Sequence, residues 1–355
     1  MQQSALHSVA IPLQLICMLF EEVVNLENLY TSAKKCCKGV RWKTSTQNFE
    51  SQLMRNACIA LKQLRNNTYR SKGFHKFTLR ERGKVREIQS VHITERMVQK
   101  CLCDYCLVPT FTSSFIYDNG ACMKGKGTSF AVKRVRRHLH NFSLNHGTEG
   151  YVLVFDIKNF FNSIDHKKLL EIAKPKFEDE RLYNLYAYFI NCFEGDTGLG
   201  LGSQVSQISA SIYLNKLDHY IKDVLGVKYY GRYMDDGYIF HQSKEYLAEI
   251  KEKIIELLKE LKLNVSIKKT QIVKLSSGFT FLKRRLILHR NKKMVMKPYK
   301  TNILRYKRKY RKLQKKGLFE ALKLLTKQFI GYLREFNYFD RYTKKEKLCT
   351  IWNNQ

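Results

Sequence analysis

An α+β fold is what the hydropathy pattern predicts, and three observations carry that prediction. Between residues 151 and 290, short apolar runs such as YVLVF and YIF alternate with longer segments whose apolar residues recur at helical spacing. Residues 1–70 alternate apolar and basic groups at helical spacing, and 291–355 read as helical, basic up to residue 316 and amphipathic beyond it. A basic stretch at 76–90 alternates with period two and reads as one isolated hairpin. Strands gathered in mid-chain and flanked by helices imply a sheet with helices packed on one face.

The elements follow in order. LFEEVVNLENLYTSAKKCCKGVRW and FESQLMRNACIALKQLRN give at least two helices in an N-terminal extension over 1–75, broken by Gly39 and the polar stretch 44–47. The apolar stretch 11–20 is short, has no basic residue before it and runs into Glu21 and Glu22. It is expected to pack as a helix rather than serve as a signal peptide. In KFTLRERGKVREIQS, Arg82-Gly83 supplies the hairpin turn, and Lys84 and Arg86 alternate onto one face. ITERMVQKCLCDYCLV then reads as a helix ended by Pro109. DNGACMKGKGTSF is a glycine-containing loop without the spacing of a Walker motif. VKRVRRHLHNF is a very basic helix, with His138 and His140 expected on its solvated face. A strand at 151–157 leads to helices, GLGLGSQVSQ opens another helix, and YYGRYMDDGYIF reads as a hairpin. EYLAEIKEKIIELLKELK is a helix, 271–290 holds two further strands, and 291–355 is expected to be helical and basic.

Composition narrows the function. At 355 residues and 44% hydrophobic content the chain can bury a large core. Its 64 Lys and Arg against 31 Asp and Glu leave a net charge of +33. An excess of that size repels itself and implies an anionic partner, nucleic acid above all. No apolar run approaches the length of a spanning helix, which argues against a membrane protein. The ten cysteines are expected to be reduced thiols in a cytoplasm. Cys101, Cys103 and Cys106 lack the second ligand pair that a structural zinc needs, so they read as buried helix residues.

The chemistry centres on Asp235 and Asp236, adjacent carboxylates inside an otherwise apolar hairpin. Like charges side by side are costly unless cations neutralise them, and Mg²⁺ suits carboxylate oxygens together with substrate phosphates. Asp156 ends the apolar run YVLVF, where a strand delivers it to a sheet edge. Three carboxylates on two strands suffice to hold two metals for nucleotidyl transfer, the chemistry of a polymerase.

The order of motifs resembles that of reverse transcriptases, especially the prokaryotic branch of group II intron, diversity-generating and phage-defence enzymes, over roughly residues 20 to 340. FDIKNFFNSIDH and RYMDDGYIF are similar to the two catalytic blocks, and GLGLGSQVSQISASIYLNKLD to the template and nucleotide block. LKLNVSIKKTQIV resembles the lysine-bearing block, GFTFLKRRL the primer grip, and KVREIQSVHITERMVQ and NGACMKGKGTSFA the finger segments. The resemblance implies a right-hand polymerase: extension 1–75, fingers 76–150, palm 151–290 and thumb 291–355. It implies two Mg²⁺ ions, with Mn²⁺ as an alternative, on Asp156, Asp235 and Asp236, with the Ile157 carbonyl as a further ligand. Lys269 would protonate the leaving pyrophosphate, with Lys268 as its competitor for that role. Phe161 would stack under the deoxyribose and exclude a 2′-hydroxyl, while Phe160 points the other way. Lys84, Arg86, Asn159, Gly202 and Gln207 complete the nucleotide-binding set.

Departures matter too. The intron-type block reads GLPQGSPLSP, whereas Gly200, Leu201, Gln204 and Gln207 stand here for its Pro, Gln, Pro and Pro. Lys283 takes a place where the primer grip usually has Gly. No endonuclease or RNase H pattern is legible, so the chain reads as a bare polymerase with an extension. Its expected partners are a non-coding RNA template, a DNA or RNA primer and dNTPs, with a small accessory protein or a second copy as further candidates. The expected role is phage defence. The alternatives are diversity generation, template-independent or protein-primed DNA synthesis, and a non-catalytic RNA-binding protein.

Overall fold

The computed structural model describes residues 18–81 and 84–336. The first elements are α1 (Phe20–Val23), α2 (Leu26–Cys37), α3 (Thr44–Glu50), α4 (Leu53–Arg65), β1 (Phe74–Glu81), β2 (Lys84–Val91), α5 (Ile93–Leu102) and α6 (Val108–Thr112). α7 (Thr128–His146) leads to β3 (Tyr151–Asp156), α8 (Phe160–Ser163), α9 (His166–Ala173), α10 (Glu180–Asn191), α11 (Gln204–Tyr213) and α12 (Asn215–His219). Then come β4 (Tyr230–Tyr233), β5 (Asp236–His241), α13 (Lys244–Glu260), β6 (Gln271–Lys274), β7 (Phe279–Phe281), β8 (Arg284–Leu288), β9 (Met294–Pro298), α14 (Lys300–Lys315) and α15 (Phe319–Leu333). Among the described residues these form two compact units, residues 18–115 with 161–214, and residues 116–160 with 215–336.

In the first unit α2 packs against α4 and α5, burying Leu29, Ala33 and Cys37. Asn25 caps α2 by accepting from the Asn28 amide at 2.9 Å, and Asp179 accepts from the Phe20 amide at 2.7 Å. β1 and β2 pair antiparallel from Phe74↔Val91 to Glu81↔Lys84. The predicted turn at Arg82-Gly83 and most of the predicted helix 11–20 lie outside the described residues. Pro109 does not end its helix. A π-turn at Cys103–Leu107 shifts the hydrogen-bond register, and Pro109 falls in the first turn of α6, where a missing N–H loses nothing. Cys101, Cys103 and Cys106 are buried there, and burial pushes the Cys101 and Cys106 thiols up to about 12.

In the second unit the main sheet runs β4-β5-β3-β6, antiparallel throughout. Val152 and Val154 of β3 and Tyr238 and Phe240 of β5 share a core with Val135, Leu139 and Phe142 of α7 and with Phe279, Phe281 and Leu286 of the small sheet β7-β8-β9. By alternation Leu153, Phe155 and Ile239 turn to the opposite face and are equally buried. The sheet is thus covered on both faces, not on one as predicted. The unbroken run YVLVF is the pattern of a strand buried on both sides.

Two further expectations change. Residues 294–298 form a strand rather than the start of the helical region, because β8 offers a complete antiparallel edge from Arg284↔Pro298 to Leu288↔Met294. His138 is buried, not solvated, with Tyr238 and Asp118 beside it; His140 is exposed. α14 and α15 form a helical pair in which Tyr306 stacks on Phe329 with ring centroids 3.7 Å apart. Residues 337–355 of the predicted helical region lie outside the described residues.

Candidate active site

The site is built from strand ends. Asp156 is the last residue of β3 and Asp236 the first of β5, and the two are direct register partners. Both side chains leave the same face as Val154 and Tyr238, just past the end of the core. Asp235 occupies the two-residue hairpin loop between β4 and β5, since Tyr233 pairs with Asp236. Burial, then the charges of Asp235 and Asp156, push the Asp236 carboxyl up to about 7.

The segment after α13 wraps the end of β3. The Ser266 amide donates to the Asp156 carbonyl at 2.7 Å, and the Lys158 amide donates to the Asn264 carbonyl at 2.8 Å. Ile157 faces Val265 between these two bonds, so this ladder leaves its own carbonyl unused. The same turn delivers Lys269, whose Nζ donates to Asp156 Oδ2 at 2.5 Å. Burial opposes its charge, but the bond to Asp156 and the neighbouring acids hold the Lys269 ammonium above its ordinary value. Lys268 is exposed beside it.

Two close approaches fix the backbone. A Cβ on Gly237 would lie 2.2 Å from the Phe155 ring, so only glycine lets β5 pair beneath that ring. Met234 takes a left-handed φ of 53°, a conformation that β-hairpin loops ordinarily give to Gly or Asn.

What holds Met234 was not read from the sequence. Arg232 Nη1 donates to the Met234 carbonyl at 2.8 Å. The same guanidinium reaches Asp218 of α12 through Nε at 2.8 Å and Nη2 at 2.5 Å, and Tyr230 Oη donates to Asp218 at 2.6 Å. Both ion-pair side chains are wholly buried. Burial alone would lower the Arg232 pKa, but the Asp218 carboxylate holds it above the ordinary range. The lone Arg in the otherwise uncharged strand segment YYGRY was the available signal that a buried charge here needs a partner, though not of which residue supplies it.

Asn159 also takes a left-handed φ, 48°, and turns the chain from β3 into α8. Phe160 is buried and Phe161 half-buried. In the first unit the Leu199 amide donates to the Phe161 carbonyl at 2.7 Å, and the Gln89 amide to the Leu201 carbonyl at 3.2 Å. Phe161, the Gly202 loop and β2 are thereby tied together. Gly202 has a φ of 120°, and Gln207 is exposed on a helix whose neighbouring residues are buried. Arg86 is exposed on β2; Lys84 lies on the same strand. The two units thus divide the predicted residues, with Asp156, Ile157, Asn159, Phe160, Asp235, Asp236 and Lys269 in the second and Lys84, Arg86, Phe161, Gly202 and Gln207 in the first.

Among the described residues no group of three or more His, Cys, Asp or Glu is placed so that it could hold a metal ion. The donor set nonetheless fits a divalent cation: hard carboxylate oxygens, mutually repelling, with an ammonium already drawn onto one of them. Mg²⁺ sites of this kind take their remaining ligands from water and substrate phosphates rather than from protein.

Residues 32–286 match the family model described as reverse transcriptase (RNA-dependent DNA polymerase). Protein YkfC of Escherichia coli (strain K12) is 23% identical over 251 residues, 59% of this chain and 65% of that protein. A structure of telomerase from Candida albicans in complex with a TWJ fragment of telomeric RNA covers 65% of this chain and 47% of its own, at TM-score 0.50 and 10% identity. Apo telomerase from Candida tropicalis, truncated from its C-terminal domain, covers 62% and 54% at TM-score 0.48 and 15% identity. The chain therefore spans about half the length of these telomerase chains and under two thirds of YkfC. Its α+β architecture is that of the right-hand polymerases. With the family match running from α2 into β8, and so through every predicted acid, the chain belongs to the reverse transcriptase (RNA-dependent DNA polymerase) family.

Proposed function

We infer that the protein is an RNA-directed DNA polymerase that copies a partner non-coding RNA into cDNA from a DNA or RNA primer. The observation that carries this reading is the register pairing of Asp156 with Asp236, with Asp235 one residue away, inside a reverse transcriptase family match. Asp156, Asp235 and Asp236 would hold two Mg²⁺ ions, with the Ile157 carbonyl available to them. Such ions supply a lowered pKa at the primer 3′-hydroxyl and neutralisation of the triphosphate. The chain's own residues do the rest. The ammonium of Lys269 stands beside Asp156, ready to give a proton to departing pyrophosphate. Phe161, set by its carbonyl bond to Leu199, discriminates against a ribose 2′-hydroxyl. Asn159, Phe160, Gly202, Gln207, Lys84 and Arg86 shape and charge the nucleotide site.

The functional lobes under this reading are an extension at 1–75, fingers at 76–150, palm at 151–290 and thumb at 291–355. The net charge of +33 supports an RNA partner. A cytoplasmic role in phage defence or a related retroelement is part of the same reading.

The test is to purify the protein from its native locus, with and without Asp235→Ala/Asp236→Ala, and to sequence bound RNA and newly made DNA. The reading expects cDNA that maps to one co-purifying RNA and falls at least about 10³-fold in the variant. Untemplated DNA from the unaltered protein would transfer the reading to a terminal or protein-primed polymerase. DNA that persists in the variant would sink the metal assignment.

A further inference from the structure

Helix α7 carries two faces of opposite character. Val132, Val135, Leu139 and Phe142 are buried against the sheet. Lys133, Arg136, Arg137 and His140 line the other side, at the spacing that stacks side chains along one helical face. Arg134, between these faces, is neutralised by Asp118 through Nε at 2.6 Å. Among the described residues, Lys133, Arg136 and Arg137 make no ion pair.

Opposite this stripe stands the loop between β8 and β9, with the sequence HRNKK. Lys292 sits there in a left-handed turn, φ 59°, closed by the His289 amide to the Lys293 carbonyl and by the Lys292 amide to the His289 carbonyl, both at 3.0 Å. Stripe and loop flank an open cleft of about 480 Å³ lined by Lys133, Arg136, Arg137, His140 and Lys292, with Leu288 buried and Met294 half-buried beside them. No acid lines it, and none of its residues belongs to the candidate active site.

A cleft with cations on both walls is repulsive by itself and favourable only around an anion. Arginine offers planar, bidentate contacts to phosphate, and lysine adds a mobile point charge. The geometry points to a second RNA-binding site, one that holds the phosphate backbone of the partner RNA away from the polymerase centre. This rests on the functional reading above, which supplies RNA as the polyanion. No exposed apolar side chain lines the cleft to enter a lipid layer, which favours a nucleic acid over a membrane surface.

The test uses the full chain and three proteins: unaltered, Lys133→Gln/Arg137→Gln/Lys292→Gln, and a charge-matched control, Lys244→Gln/Lys251→Gln/Lys259→Gln, altered on α13. Affinity for a fluorescein-labelled 30-nucleotide poly(U) is measured by anisotropy between 50 and 300 mM KCl, along with extension of oligo(dT) on poly(rA). Each lost phosphate contact removes about 0.7 from the slope of log K against log salt for a single strand. The cleft variant is expected to lose about 2 from that slope and tenfold or more in affinity, while retaining the turnover of the unaltered protein at saturating primer–template. The control is expected to bind RNA like the unaltered protein. Equal slopes in all three proteins, or equal losses in both variants, overturn the site. Loss of binding to vesicles of 30% phosphatidylserine, with RNA binding intact, also overturns it in favour of a membrane. Failure of the unaltered protein to extend oligo(dT) counts against the polymerase reading and leaves the RNA-binding comparison readable.

Discussion

Arg232 carries three tasks on one guanidinium: it neutralises Asp218, supports β4 and holds the Met234 carbonyl at the hairpin that presents Asp235. Removing one member of a wholly buried pair strands the other charge, at a cost of about 3–5 kcal/mol. Arg232→Ala is therefore expected to lower unfolding free energy by that amount in urea titrations. Arg232→Met with Asp218→Leu replaces the pair by apolar groups of similar size, and buried pairs replaced this way often keep their stability. The double variant leaves the buried Tyr230 hydroxyl without its acceptor, at a cost of about 1–3 kcal/mol. It is therefore expected to recover only part of the lost stability and to remain slow in primer extension, because Met234 still lacks its donor. Full activity in the stable double variant would reduce Arg232 to a packing role. Asp156→Asn and Asp236→Asn each remove a proposed metal-binding carboxylate, so polymerisation should fall about 10³-fold or more. Asp236→Asn also relieves carboxylate repulsion, so its melting temperature in EDTA should hold or rise, whereas Asp156→Asn gives up the bond to Lys269 as well.

Between elements, the contact of α7 with β5 contains a titrating group. His138 Nε2 lies 3.1 Å from Arg134 Nη2, and Nδ1 lies 3.1 Å from Tyr238 Oη. A guanidinium can only donate, so Nε2 accepts and the ring is neutral with its proton on Nδ1. Burial lowers its pKa to about 4, opposed by Asp118 and reinforced by Arg134, Lys222 and Arg137. A base whose folded pKa is depressed is protonated first in the unfolded chain, so stability falls as pH drops from about 6.5 to about 4. The loss is at most about 3 kcal/mol. Asp118, whose pKa is lowered from 3.8, titrates below that window. Over the same window the Asp236 carboxyl, raised to about 7, takes up its proton in the fold and works the other way. The His138 contribution is therefore read as a difference. From pH 7.5 to 4 the denaturation midpoint of His138→Gln should rise relative to that of the unaltered protein, and an unchanged difference would show that His138 does not carry it. This histidine also marks how far the sequence was legible. Helices and strands followed from period, because each buries one stripe or face. The hairpin of Asp235 and Asp236 followed from two acids in an apolar run. The environment of His138 did not, because a helix with charge at 133, 134, 136 and 137 reads as solvated until β5 is known to cover its other side. β9 was missed for the same reason: MVMKP has no strong alternation of its own, and its pairing with β8 is a tertiary fact. The link from Arg232 to Asp218 spans two elements and no local pattern, so only the fold could reveal it.

At the scale of the whole molecule, charge outweighs every other feature. A net +33 on 355 residues means that folding concentrates like charges the unfolded chain keeps further apart. Some are neutralised internally, as where Arg284 bonds Glu335 or Lys216 bonds Glu260. The sequence of α14, KTNILRYKRKYRKLQK, in contrast contains no acid at all. Two consequences separate this protein from one of balanced charge. Added KCl screens the repulsion, so the melting temperature should climb between 50 and 500 mM, where proteins stabilised by surface ion pairs lose ground. A polyanion that binds the folded state should raise it further by mass action: at a hundredfold excess over its dissociation constant, RNA adds about 2.7 kcal/mol. For a chain of this size that corresponds to a rise of about a few degrees. The two effects oppose each other when combined, because salt weakens the binding of RNA. Thermal melts on a grid of KCl and poly(U) should therefore show salt raising the midpoint without RNA and lowering the RNA increment. A midpoint that falls with salt in the absence of RNA would mean that the positive charge is already balanced within the fold. In that case the charge excess would no longer argue for a nucleic acid partner.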